Sequence, residues 1–224
     1  MATTVEPTPM TDPNVAPLAA SDELPISPKT LKSIGLGFGA VSIVAIGIFI
    51  AVSSGKRKEA FAAQQLSKAR EAADAGNLGL ASSELQKVIT TYSGTVAANE
   101  ATITLNQVRL SNSQSALAID DLRKFIATNP EVGAKAAANG LLGAALENTG
   151  KPADAAVAYK AAVDVAPAEF LKAEYALAEA RALRMSGKPD DAAAVYRMIL
   201  DKLAKTPGIT EAQVRLAELT KGKM

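Results

Sequence analysis

A spacing of 37 residues constrains this chain more than any other feature. Gly76, Ser113, Gly150 and Gly187 recur at that interval. Five residues beyond each stands an alanine: Ala81, Ala118, Ala155 and Ala192. Four further on come Leu85, Leu122, Tyr159 and Tyr196, and three beyond those come Val88, Phe125, Ala162 and Ile199. Apolar positions three and four apart fall on one face of a helix. A unit of this length is a helix, a turn and a second helix. It cannot bury its apolar face alone, so such units must stack.

Each unit has a local logic. The first helix ends at the glycine, where a left-handed residue costs least without a side chain. Pro152 and Pro189 open second helices, where their missing N–H is not needed. Asp154, Asp190 and Asp191 follow in the first turn, favourable to the helix dipole. The recurrent alanine marks the closest approach of the paired helices. Pro130 and Pro167 help end second helices. Four helical hairpins are expected over 56–220, closed by a capping helix at about Thr210–Thr220. Thr210 and Gln213 have capping-box spacing there, and Val214, Leu216 and Leu219 are placed to cover the open end of the stack.

The stretch Ser33–Val52 carries no charge. As a helix its twenty residues rise ~30 Å, the thickness of a hydrocarbon core. One transmembrane helix over 33–54 is therefore expected. A cleaved signal peptide fits less well, because acidic residues precede the run and the run is too long. Gly35, Gly39 and Gly47 fall near one stripe, where another helix can approach closely in lipid. Lys32 before the span, and Lys56, Arg57 and Lys58 after it, read as membrane-interface anchors. Residues 1–32 form a tail in which Pro7, Pro9, Pro13, Pro17, Pro25 and Pro28 block helix and central strand, so alone it is extended or disordered.

Composition removes most chemistry. The chain has no cysteine and no histidine, which takes away the usual zinc and iron ligands and the base of a serine triad. No metal or cofactor is expected, and no enzyme. A net charge of +1 gives no global field for nucleic acid. Asp120–Asp121 and Asp190–Asp191 are adjacent pairs that point about 100° apart on a helix, so neither chelates alone. The expected fold is all-α: one transmembrane helix, then an α-solenoid.

Leu142, Gly143, Leu146, Gly150, Ala155, Tyr159, Ala162 and Pro167 stand at the signature positions of the tetratricopeptide repeat, which the third unit resembles. Asn139 stands where that motif has a large aromatic, so that space must be filled differently. The longer period implies slightly longer turns between units than the motif's usual ones. The layout as a whole resembles the YfgM-like ancillary subunits of the bacterial Sec translocon, with Tyr92, Gly94, Ala97, Ala98, Leu122, Lys124 and Phe125 carrying the likeness. That resemblance implies a single-pass protein of the bacterial inner membrane with its repeats in the periplasm, where it acts as a chaperone on client proteins. The count of lysine and arginine near the span favours the cytoplasm instead. The adopted expectation is a periplasmic repeat domain, in a non-catalytic scaffold or assembly subunit of a translocon, respiratory or photosynthetic complex. Its partners are other membrane subunits, met through span, tail and repeats, and the lipid bilayer.

Overall fold

The computed structural model describes residues 52–220. The tail, most of the expected span and its residues Lys32, Gly35, Gly39 and Gly47 lie outside the described residues. Among those described, no helix is long and apolar enough to cross a membrane.

Nine helices follow one another among the described residues. They are α1 (52–74), α2 (Leu78–Thr91), α3 (Val96–Ser111), α4 (Ser115–Ala127), α5 (Val132–Asn148), α6 (Pro152–Val165), α7 (Glu169–Met185), α8 (Pro189–Lys202) and α9 (Ile209–Thr220). They pair in sequence as four hairpins, α1–α2 to α7–α8, with α9 packed on α8 and α7. Each hairpin turns through a left-handed residue: Gly76 at φ +76°, Ser113 at φ +58°, Gly150 at φ +72° and Gly187 at φ +78°. The chain-reversing backbone is thus the same four times, and once a serine adopts it.

The recurrent alanines lie where the register puts them. Ala81, Ala118, Ala155 and Ala192 are all wholly buried. A larger side chain at any of them would hold the paired helices apart. Leu85, Leu122, Tyr159 and Tyr196 fill the next layer and are likewise buried. Three apolar clusters result. The first joins α1, α2 and α3, the second centres on α4, α5 and α6, and the third centres on α7, α8 and α9.

Several helix starts carry their own caps. Pro152 and Pro189 open α6 and α8, with Asp154, Asp190 and Asp191 in the first turns. Asn77 Oδ1 accepts from the Leu80 N–H, and Thr95 Oγ1 from the Ala98 N–H. The Glu131 carboxylate accepts from the N–H groups of Gly133 and Ala134. The start of α3 has a second, distant cap. Both carboxylate oxygens of Glu59 on α1 accept hydrogen bonds, from Val96 and Ala97 N–H, each at 2.9 Å. One residue earlier, Lys58 Nζ donates to the Ser93 carbonyl at 2.7 Å. Lys56 and Arg57 stand exposed beside them.

Several details correct the expectations. α9 begins at Ile209, and the Gly208 carbonyl accepts from the Ala212 N–H, so Thr210 sits inside the first turn and is not the cap. Val214 is exposed while Ala212, Leu216 and Leu219 face the stack, because residues two apart on a helix point about 200° apart and 214 cannot share a face with 216. The turns between units run over 92–95, 128–131 and 166–168, and the first helices α3, α5 and α7 are 16 or 17 residues long. The space beside Asn139 is not filled. It remains a cleft of about 290 Å³ between α4, α5 and α6, flanked by Arg123, Leu142, Val157 and Ala161. Asn139 itself is buried and turns Nδ2 to the Lys135 carbonyl.

Candidate functional site

The first helices of the hairpins, with α9, line a continuous groove of three adjoining cavities. The largest, about 410 Å³, lies between α3, α5, α7 and α9 and is bordered by Gln107, Leu141, Ala144, Tyr175 and Arg181. A second, about 350 Å³, lies between α1 and α3, with Arg70, Asp74, Leu78 and Thr104. A third, about 310 Å³, lies between α7 and α9, with Phe170, Leu177 and Pro207. Gln107 borders the first two, and Glu174, Leu177 and Glu211 border the first and third.

The middle of the groove is shaped by two notches in α5. At Gly140 an added Cβ would come 2.5 Å from Tyr175 Cε1, and at Gly143 it would come 2.6 Å from Tyr159 Cε1. One ring from α7 and one from α6 thus lie against bare backbone. The Tyr159 hydroxyl donates to Glu147 Oε2 at 2.8 Å. Arg181 grips the same carboxylate with two hydrogen bonds, Nη2 to Oε2 at 2.9 Å and Nε to Oε1 at 3.2 Å. Burial and the bond to Glu147 push the Tyr159 hydroxyl well above its ordinary range, so it stays a donor. Burial also pushes the Tyr175 hydroxyl up.

Ion pairs cross between successive first helices. Arg70 on α1 meets Glu100 on α3 at 3.0 Å, Arg181 on α7 meets Glu147 on α5, and Arg184 on α7 meets Glu218 on α9 at 3.4 Å. Arg109 on α3 pairs with Asp121 on α4. That pair accounts for one of the two adjacent aspartates at 120–121.

One buried group breaks the pattern. Leu105, Leu142 and Leu216 occupy one register position and are buried; the same position on α7 is Glu179, only 8% exposed. Burial raises its carboxyl to about 7; Lys160 on α6 acts against the rise and Asp164 adds to it.

The residues singled out by the repeat, Ala81, Ala118, Leu142, Gly143, Ala155, Tyr159, Ala192 and Tyr196, come together as core, and among them only Tyr159 reaches the groove. Its exposed lining, Arg70, Asp74, Gln107 and Glu174, carries no apolar signal. The register position shared by Arg70, Gln107, Ala144 and Arg181 is the sequence feature that points to it. Among the described residues no group of three or more acidic side chains is placed to hold a metal.

Among solved structures, the chain is similar to a putative kinesin light chain of Podosopora anserina with nearly identical TPR-like repeats. The TM-score is 0.59 at 18% identity, over 71% of this chain and 85% of that one. A point variant of the same protein gives a TM-score of 0.58 at 18% identity, over 71% and 84%. The likeness shows the fold alone: the described residues form a tetratricopeptide-like α-solenoid. No family model and no curated protein matches the chain.

Proposed function

We propose that this chain is a non-catalytic scaffold subunit of a larger membrane complex. Its groove binds a segment of a partner protein, and the apolar run over 33–52 spans the bilayer and keeps the groove at the membrane. The groove carries the reading: an extended surface presented by the first helices, built from side chains suited to contact rather than to reaction. Tethering raises the local concentration of such a surface for membrane partners. The uncharged run supports the anchor, and the absence of histidine and cysteine supports a binding role.

The test places a photo-crosslinking residue at Gln107 in the groove or at Arg197 on the outer helix α8, in native membranes washed with alkaline carbonate. The expected result is a chain retained in the pellet, with one discrete heavier band from Gln107 and none from Arg197. Release of the chain by the wash overturns the anchor. Equal crosslinking from both positions, or none, overturns the groove.

A further inference from the structure

The charges in the groove are not balanced against one another. Its two bordering arginines are already engaged, Arg70 by Glu100 and Arg181 by Glu147. No lysine borders any of the three cavities. Three carboxylates do: Asp74 in the second, and Glu174 and Glu211 where the first meets the third. Among the described residues Asp74 and Glu174 have no ion-pair partner. Glu211 is 3.9 Å from Arg215, which lies closer to Glu218, at 3.1 Å. Between these carboxylates the groove offers apolar surface: Leu78 near Asp74, then Tyr175, Leu177 and a Phe170 that is 57% exposed.

Building on the groove reading above, we propose that the occupant is a basic amphipathic segment of a partner protein. Its apolar side chains lie on Phe170, Leu177 and Tyr175, and its lysines or arginines meet Asp74, Glu174 and Glu211. Charge complementarity of this kind sets which segment is accepted and speeds its encounter. The same charges exclude the chain's own first thirty residues, where Glu6, Asp12, Asp22 and Glu23 face a single Lys29. An acidic segment in an acid-lined groove is repelled.

The experiment uses the full chain in a non-ionic detergent and two labelled peptides of equal length with identical apolar positions. One carries lysine at its polar positions and the other glutamate. Fluorescence anisotropy is followed as salt is raised, for the parent, for D74N/E174Q in the groove, and for D190N/D191N on the outer helix α8. The lysine peptide is expected to bind, to weaken with salt, and to lose about tenfold in affinity in D74N/E174Q while D190N/D191N leaves it unchanged. Equal loss in both variants, or tighter binding of the glutamate peptide, overturns the proposal. If both peptides bind equally and F170S weakens both, the charge assignment falls and the groove reading stands. If neither peptide binds, both readings fall. Self-association of the parent that D74N/E174Q abolishes assigns the groove to a second copy of the chain and overturns the proposal.

Discussion

Tyr159 lies against the backbone of Gly143, with ring carbons Cε1, Cδ1 and Cγ at 2.6, 2.7 and 2.8 Å from where a Cβ would stand. The ring cannot retreat freely, because Ala155 and Ala162 of its own helix are wholly buried and its hydroxyl is held by Glu147. Gly143→Ala therefore forces α5 and α6 apart or dislodges the ring. The expected cost is ~1–3 kcal/mol, in the range for overpacking a filled core. Urea unfolding measures it, and a variant as stable as the parent would refute the close contact. Tyr159→Leu should remove most of the penalty in the double variant, since the two residues share one contact.

Glu179 makes stability fall as pH rises. Its carboxyl titrates near 7 in the folded chain against an ordinary 4.5. Between those values the folded state holds a proton that the unfolded state has released, so folding is progressively penalised as pH rises from about 4.5 and the penalty is complete above about 7. A shift of this size corresponds to about 3 kcal/mol. Glu179→Leu restores the residue type found at Leu105, Leu142 and Leu216. It should raise the melting temperature at about pH 8 and flatten the descent, while Glu179→Gln flattens it with a smaller gain. An unaltered melting profile against pH in both variants would refute this account.

The Glu59 cap joins two hairpins through one carboxylate. Glu59→Ala leaves the first N–H groups of α3 without that acceptor, at a cost of ~1–2 kcal/mol. Glu59→Gln retains one acceptor and should lose less. Amide hydrogen exchange reports it directly, as faster exchange at Val96 and Ala97 with little change in α7. Uniform acceleration through all the helices would show instead that the cap is not local.

Ser113 holds the conformation that Gly76, Gly150 and Gly187 hold without a side chain. Ser113→Gly is expected to stabilise by ~0.5–1 kcal/mol, the left-handed penalty outweighing the added freedom of the unfolded chain. A lower melting temperature in this variant would contradict that.

The solenoid was legible because its marks are local and repeat. Small residues at a fixed interval encode close helix approach, so the recurrent alanines and turn residues name their own places. The cap from Glu59 was not legible. It spans from one unit to the next, and a glutamate on an exposed helix face has no pattern that distinguishes a cap from a solvated charge. Val214 does not join Leu216 and Leu219 on the inner face, because two residues along a helix is about 200° of rotation; Ala212, four residues before Leu216, takes that place. Glu179 becomes visible only when its position is compared with the leucines at the same register. The polar residues of the groove, Arg70, Asp74, Gln107 and Glu174, follow no apolar period, so periodicity in apolar residues says nothing about them.

Lys58 and Glu59 are consecutive, and both fasten α1 across to the start of the second hairpin. A mechanical load entering at the start of α1 meets that double latch before it reaches the buried contacts of Ala62, Leu66 and Ala69. The first hairpin is placed as a strain relief for the three that follow: tension is met first by three hydrogen bonds at this joint, ahead of the stacked interior beyond α3.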